Sequence, residues 1–238
     1  MRGTPSFVSC LLPTARAGFT LLEMLVVSGI IAILAGIALP VLSRSRTKAD
    51  RAVCLSNLQQ IGVAIRAYAD DWNDTFPAAW NEWNTPQYAS FGPFIEGTPG
   101  IIEAVSPYGA AREIWRCPSD TGLNLKFSDY WMTGPARPFW KDGGASYFYR
   151  DMYARVVDEN PYPKPENSAL AARPTSVVAR PTRVVLITDV LPWHSPPQGR
   201  PAYMEWDGLT VSVYCDGHAA ARPWNEVRAN IVAAPGLP

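Results

Sequence analysis

The sequence predicts an α+β fold in which a long N-terminal helix, transmembrane in its first half, packs on a C-terminal antiparallel sheet with long loops. Three observations support this. An apolar run covers residues 19–42. Apolar side chains then recur at helical spacing up to residue 72, and three segments rich in β-branched and aromatic residues lie within 145–219. A long helix followed by a group of strands is typical of this fold class.

The apolar run is long enough to cross a membrane. Its 24 residues make about 36 Å of helix at roughly 1.5 Å per residue, against a hydrocarbon core of about 30 Å. Glu23 is the single charged residue in it. We therefore expect a leader at 1–18, an anchor at 19–42 and a soluble domain at 73–238.

The helix is expected to continue beyond the membrane as an amphipathic segment over 43–72. Six apolar residues recur there at spacings of 4, 3, 4, 3 and 4: Cys54, Leu58, Ile61, Ile65, Tyr68 and Trp72. This spacing predicts one helix from Phe19 to about Asp71, with a kink at Pro40. The apolar stripe needs a partner surface, and a sheet is the natural one.

Charge excludes strong electrostatic binding to nucleic acid, because 21 Lys and Arg residues balance 21 Asp and Glu residues. Four basic residues follow the apolar run: Arg44, Arg46, Lys48 and Arg51. We interpret them as an interfacial anchor and not as a nucleic-acid patch. They outnumber Arg2 and Arg16 of the leader, so the positive-inside rule alone would keep the soluble domain in the cytoplasm.

The residue pattern of the soluble domain predicts a loop-rich part up to about residue 144 and a strand-rich part after it. Trp72, Trp80 and Trp83 cluster in the first part. They form either a stacking surface for sugars or, as is more common, the core of a loop region. Strands are predicted at 145–150, 183–190 and 209–219, and the Pro-rich stretch 158–181 is expected to be a loop or an extended insertion.

The four cysteines allow one disulfide and one free thiol once the leader is removed, because Cys10 lies in the leader. The three others are Cys54, Cys117 and Cys215. Their number alone leaves the pairing open.

The segment "GFTLLEMLVVSGIIAILAGIALPVL" strongly resembles the N-terminus of type IV prepilins and type II secretion pseudopilins. It has the small Gly18, the aromatic Phe19, a Thr-Leu pair, Glu23 as fifth residue of the apolar helix, and Pro40 near its end. The resemblance implies that a prepilin peptidase cuts between Gly18 and Phe19 and that the new amine of Phe19 is N-methylated. The leader then stays inside and the domain outside, against the charge count.

Glu23 has two interpretations. A carboxylate in lipid costs on the order of 2.5 kcal/mol on insertion scales, so it needs a partner. The resemblance implies that this partner is the amine of Phe19, on a neighbouring subunit or the same chain, and that Glu23 and Pro40 belong to the assembly helix. In an ordinary anchor, Glu23 would instead lie at the headgroup level.

Three further segments resemble bacterial pilin-like proteins with an extended C-terminal domain: "CLSNLQQIGVAIRAYADDWNDTFP", "WRCPSD" and "DGLTVSVYCDGHA". This resemblance implies a disulfide between Cys54 and Cys117. The family pattern also has a histidine ahead of Asp-Gly, but Trp206 stands there, so the signature is incomplete. The sequence Asp216-Gly217-His218 is better explained as a turn that closes a strand.

No motif in the chain indicates an enzyme. It lacks a nucleophile elbow, a Walker A loop, a zinc-protease helix motif and a dinucleotide fingerprint. No cofactor is expected, and no metal site is firm. Three aspartates, Asp189, Asp207 and Asp216, are weak candidates for calcium, because hard cations bind several oxygens.

We therefore expect a bacterial inner-membrane protein with one span and an extracytoplasmic domain, which assembles into a cell-surface or periplasmic filament. The partners implied by the resemblance are prepilin peptidase, other pilin or pseudopilin subunits and the inner-membrane assembly machinery, and not nucleic acid. The alternative is a membrane-anchored binding module for a polysaccharide or a secreted substrate. The helix does not distinguish a pilus from a pseudopilus, or a major from a minor subunit.

Overall fold

The structure is a computed structural model. It describes residues 19–81, 99–122, 138–150, 170–190, 193–194 and 208–232. The chain divides into two compact units, Met1–Ser45 and Arg46–Pro238. The predicted leader and Gly18 lie outside the described residues, as do Trp83, Trp206 and Asp207.

The first helix, α1, runs from Leu21 to Asp71 and includes Pro40. Its bounds agree with the prediction from the apolar run and the apolar stripe. Pro40 lacks the N–H that would bond to the preceding turn, so one helical hydrogen bond is missing at this position. The helix nevertheless continues on both sides of it. In the first unit, every described residue from 19 to 45 is exposed.

In the second unit, the apolar stripe of α1 forms the centre of the core. The buried residues of the helix are Cys54, Leu58, Ile61, Gly62, Ala64, Ile65, Tyr68 and Ala69. Trp72 departs from the prediction, because 57% of its surface is exposed. It lies at the end of the helix, past the last turn that the core covers.

Short elements follow α1, as the loss of periodicity predicts. Helix α2 covers Ile101–Val105, and helix α3 covers Phe139–Asp142. Single 3-10 turns cover Ser106–Tyr108, Arg112–Trp115 and Thr175–Val177. Trp115, the last residue of the second of these turns, is fully buried and belongs to the main hydrophobic core.

Four antiparallel strands form the sheet in the order β1-β2-β3-β4. They are β1 (Tyr147–Tyr149), β2 (Val185–Asp189), β3 (Leu209–Tyr214) and β4 (Ala219–Pro223). The predicted α+β fold with a C-terminal antiparallel sheet is confirmed. The third predicted strand, 209–219, is in fact β3, a turn and the first residue of β4.

The turn between β3 and β4 forms because Gly217 adopts φ of +90°, a conformation that costs glycine little. The Gly217 N–H donates to the Tyr214 carbonyl at 2.8 Å, and the Tyr214 N–H donates to the His218 carbonyl at 2.9 Å. After β4, helix α4 runs over Trp224–Val232. Its Val227 packs with Val185 and Tyr214 in a small second cluster.

The helix α1 and the sheet meet closely at Gly62. A Cβ atom built on Gly62 would lie 2.8 Å from Cγ2 of Val213 in β3. Carbon atoms in contact lie about 3.5–4.0 Å apart. Only a residue without a side chain fits at this point of the interface.

The free edge of β1 is occupied by a side chain. The Asn81 amide donates to the Tyr149 carbonyl and accepts from the Tyr149 N–H, both at 2.6 Å. These are the two bonds that a neighbouring strand residue would make. The buried Asn81 thus connects the loop after α1 to the sheet.

Candidate functional site

The predicted assembly segment begins with a helix cap built from two of its own residues. The Glu23 carboxylate oxygen Oε2 accepts hydrogen bonds from the Thr20 N–H and hydroxyl, each at 2.9 Å, and the Glu23 N–H donates to Thr20 Oγ1 at 3.2 Å. This reciprocal arrangement is a capping box, S/T-x-x-E, which satisfies donors that a helix N-terminus leaves free. The sequence singled out Glu23 for its charge, whereas its bond to Thr20 was not anticipated.

The surface of this segment is almost wholly apolar and exposed within its unit. Large side chains such as Phe19, Leu21 and Leu25 expose 70% or more of their surface. Among the described residues, α1 is the one helix long and apolar enough to cross a membrane, and its most apolar part is not buried. Signal sequences also meet this criterion of length and composition. The assignment of a membrane span to α1 therefore rests on the N-terminal sequence motif as well.

In the second unit, the predicted disulfide between Cys54 and Cys117 is confirmed. The two Cα atoms lie 5.3 Å apart, at a sequence separation of 63. Cys54 is on α1, and Cys117 follows the 3-10 turn that ends at Trp115. The bond joins the loop-rich part of the chain to the buried face of the helix.

Asp120 organises the loop that carries Cys117. Its carboxylate accepts hydrogen bonds from the Ser146 hydroxyl at 2.7 Å and from the backbone N–H groups of Gly122, Phe139 and Trp140 at 3.0–3.3 Å. Ser146 Oγ in turn accepts from the Cys117 N–H at 3.0 Å. Burial raises the pKa of Asp120, although these hydrogen bonds act in the opposite direction.

Sequence reasoning did not assign Asp120 a role. The available signal was its place in "WRCPSD", directly after the Cys-Pro pair, where aspartate commonly bonds to nearby backbone N–H groups. Its four donors come from three separate segments, so the full network depends on the fold.

Behind the disulfide lies a buried pair, His194 and Asp189, both with no exposed surface. His194 Nε2 is 3.3 Å from Asp189 Oδ2 and 3.6 Å from Cys117 Sγ. Asp189 Oδ2 also accepts from the Val211 N–H at 2.8 Å. Burial raises the pKa of Asp189, while the hydrogen bonds from His194, Val211 and Thr210 act to lower it.

The calcium candidates do not come together in the structure. Asp189 ends β2, whereas Asp216 lies in the turn beside the start of β2, where the Cys215 N–H donates to Val184. The two carboxylates are thus at opposite ends of a strand that rises about 3.3 Å per residue. Asp207, the third candidate, is outside the described residues.

Asp216 instead holds the turn with His218. Asp216 Oδ1 is 2.6 Å from His218 Nδ1, and the His218 ring stacks on Tyr214 with centroids 4.3 Å apart. Both side chains are partly exposed. This geometry agrees with the interpretation of Asp216-Gly217-His218 as a turn that closes a strand.

An aromatic group lies at the end of α1. Trp72 stacks on Tyr68 with centroids 5.4 Å apart, and its Nε1–H donates to the Tyr108 hydroxyl at 3.2 Å. Trp80 is half-buried, and its backbone pairs with Gly100. Of the three tryptophans in the predicted cluster, Trp72 is therefore largely exposed and Trp80 is half-buried, whereas Trp83 lies outside the described residues.

Comparison with known proteins supports the N-terminal motif. A family model described as the prokaryotic N-terminal methylation motif matches residues 13–39. A search of curated proteins found no match, and neither did a search of solved structures. The motif, the apolar helix after it and the antiparallel sheet together fit a pilin-like protein, a type IV pilin or pseudopilin-like prepilin whose N-terminal helix indicates anchoring in the inner membrane.

Proposed function

We propose that this chain is a structural subunit of a type IV pilus-like or type II secretion pseudopilus filament. In this proposal, prepilin peptidase cuts between Gly18 and Phe19, and the amine of Phe19 is then methylated. The domain faces the extracytoplasmic side, and the inner-membrane assembly machinery adds the subunit to others of its kind. The function is assembly and not catalysis.

One observation supports the proposal: an exposed apolar segment of 24 residues, 19–42, holds a single carboxylate, and its residues 19–39 fall in the matched motif. Such a surface needs lipid before assembly and other apolar helices afterwards. A repeated head-to-tail contact between identical subunits generates an open helical fibre. The apolar halves of α1 would form the centre of that fibre.

The capping box suggests how the Glu23 carboxylate is accommodated both in lipid before assembly and between apolar helices after it. Among the described residues, both hydrogen bonds that the Glu23 carboxylate accepts fall on Oε2, which leaves Oε1 for the amine of Phe19 on a neighbouring subunit. Thr20 and Glu23 both remain in a chain cut after Gly18. Pairing two charges that are otherwise costly in an apolar environment would then favour one axial register between subunits.

Substitution of Glu23 by glutamine tests this proposal sharply. Glutamine still fits a capping box but carries no charge. We expect Glu23→Gln to be processed and to reach the membrane at wild-type levels, yet to yield no filaments in sheared cell fractions. Glu103→Gln, on the exposed face of α2, is the matched control and should assemble normally. Wild-type filament yield from Glu23→Gln would contradict the proposal.

The second candidate function, a membrane-anchored binding module, is favoured by the exposed Trp72 with Tyr68 and Tyr108 beside it. Aromatic faces of this kind bind sugar rings by stacking. If the module is the true function, Trp72→Ala abolishes binding to surface polysaccharide while the unassembled Glu23→Gln chain still binds. Val63→Ala, another exposed site on α1, serves as control. Equal binding by Trp72→Ala and wild type would refute this candidate.

A further inference from the structure

A cleft on the second unit is lined by positive charge and one aromatic ring. It has two adjoining parts, of about 590 and 490 Å³, a size within the usual range for small-molecule sites. Four residues line both parts: Glu113, Arg116, Trp140 and Lys141. Arg112 lines the second part, so three cations and one exposed carboxylate border the same space. Neither the N-terminal motif nor the disulfide requires this arrangement of charge.

The Arg116 guanidinium lies over the ring of Trp140. Its central carbon is 3.7 Å from the centroid of the indole ring, and Lys141 Nζ is 5.3 Å from the same centroid. A guanidinium over an aromatic face keeps N–H groups at its edge, where they can form two parallel hydrogen bonds with a carboxylate. Among the described residues, neither Arg112, Arg116 nor Lys141 forms an ion pair. The three cations are therefore available to an anionic ligand.

The backbone on both sides of the cleft holds this cation and ring in place. The Arg116 N–H donates to the Glu113 carbonyl at 3.3 Å, and the Arg116 carbonyl accepts from the Asn57 amide of α1 at 3.1 Å. The Trp140 N–H donates to the Asp120 carboxylate at 3.3 Å. The guanidinium and the ring are thus positioned before a ligand arrives, which lowers the entropy cost of binding.

The lining favours an acidic sugar over a phosphate or another compact, highly charged anion. The three cations attract an anionic group, and Ile114 and Pro138 add apolar surface to the cleft. Glu113 lies among the cations, so a compact double negative charge would be repelled there. Sugar hydroxyls can instead donate hydrogen bonds to the Glu113 carboxylate, which only accepts them. A uronic acid combines one carboxylate with several hydroxyls on one ring.

We propose that this cleft binds an acidic saccharide through a uronate carboxylate on Arg116. Arg112 and Lys141 flank that carboxylate, and Glu113 accepts hydrogen bonds from the sugar hydroxyls. The site shares no residue with the exposed aromatic group around Trp72, and it selects its ligand by charge as well as by apolar contact. Binding here does not require assembly, so the proposal can fail or succeed independently of the filament function.

The test uses the full chain with its disulfide intact, in a detergent without a sugar headgroup. Calorimetric titration compares digalacturonate with galactobiose, the neutral disaccharide of the same linkage. We expect one digalacturonate per chain, weaker binding as the salt concentration rises, and no binding of galactobiose. A blocked dipeptide of two glutamates also carries two carboxylates but no hydroxyls. It should bind at least about 10-fold more weakly than digalacturonate, a difference that calorimetry resolves.

Three variants locate the binding site. Arg116→Gln removes the charge and the paired donors, and should weaken digalacturonate binding by about 10-fold or more, as expected for lost hydrogen bonds to a charged group. Trp140→Leu keeps all three cations and should still weaken binding by about 3-fold, the size of an exposed cation–π contact. Arg66→Gln is the matched control, because it removes the same charge from an exposed site on α1 and should leave binding unchanged.

Far-ultraviolet circular dichroism should be the same for the wild type and the three variants, since Arg116 and Arg66 are exposed and Trp140 is half-buried. The proposal is overturned if the wild-type chain does not bind digalacturonate, or if galactobiose or the dipeptide binds as tightly. It is also overturned if Arg116→Gln binds as tightly as Arg66→Gln. Unchanged binding by Trp140→Leu would contradict the positioning of the guanidinium by the ring.

Discussion

The packing of α1 on the sheet makes the substitution Gly62→Ala an informative perturbation. The new Cβ would lie 2.8 Å from Val213 Cγ2, at least about 0.7 Å closer than normal carbon contact allows. Val213 is fully buried. It is also held between Ile187 of β2 and Ala219 of β4, so it has little room to move.

The expected magnitude follows from two opposing terms. Overpacking in a core costs about 1–3 kcal/mol, and replacing glycine by alanine inside a helix returns up to about 1 kcal/mol. Because the neighbour is fixed on both sides, the steric cost should lie in the upper half of its range. We expect Gly62→Ala to lower the free energy of unfolding by about 1–2 kcal/mol.

Urea denaturation of the oxidised chain, followed by circular dichroism, measures this change through the transition midpoint. Val213→Ala should relieve the clash, so the double variant should show a favourable coupling of about 1 kcal/mol or more between the two positions. Val63→Ala, exposed on the same part of α1, reports the gain in helix propensity alone. A stabilised Gly62→Ala, or zero coupling with Val213, would refute the packing described here.

Three more predictions concern the second unit. Replacing Cys54 and Cys117 together by alanine removes a cross-link over 63 positions and should cost about 4 kcal/mol in unfolding free energy on the chain-entropy estimate. In Asp120→Asn an amide NH₂ replaces one carboxylate oxygen, so one of the four donors to Asp120 faces another donor. We expect this to lower the free energy of unfolding by about 1–3 kcal/mol near neutral pH. Cys215, whose pKa burial raises to about 12, should resist alkylation at pH 8 in the folded chain and react fully in urea.

Each of these has a clear contradicting result. An unchanged urea midpoint for the double cysteine variant would mean that the disulfide does not restrict the unfolded chain. Burial raises the pKa of Asp120 in the folded state. The contribution of Asp120 to the free energy of unfolding is therefore complete below its unfolded-state pKa and is lost as the pH rises through its folded-state pKa. The stability of wild type relative to Asp120→Asn should therefore fall from pH 4 to pH 7, and a rise would contradict this. Rapid alkylation of folded Cys215 at pH 8 would contradict the raised pKa of its thiol.

The sequence predicted the parts of the fold that depend on local pattern. The long helix to Asp71 and three of the strands follow from periodicity and from β-branched composition. The strand β4 was missed because "AAARP" has low β-propensity. It forms because the tight turn at Gly217 returns the chain alongside β3.

The candidate site was predictable only where a motif carried it. The assembly role of Glu23 and the pairing of the two cysteines were inferred from resemblance, whereas the contact of His194 with Cys117 joins positions 77 residues apart and leaves no trace in local spacing. Trp72 fits the helical stripe by spacing but is exposed, because the buried residues of the helix end at Tyr68 and Ala69. Contacts of this kind are set by the tertiary fold and not by sequence separation.

The most direct test of the proposed function is the intact mass and N-terminal sequence of the protein purified from its own membranes. The account predicts a chain that begins at N-methylated Phe19 and lacks residues 1–18. Such a chain would demonstrate peptidase processing, with its new amine available to Glu23. A chain that still begins at Met1 would contradict the account and leave an ordinary anchored protein.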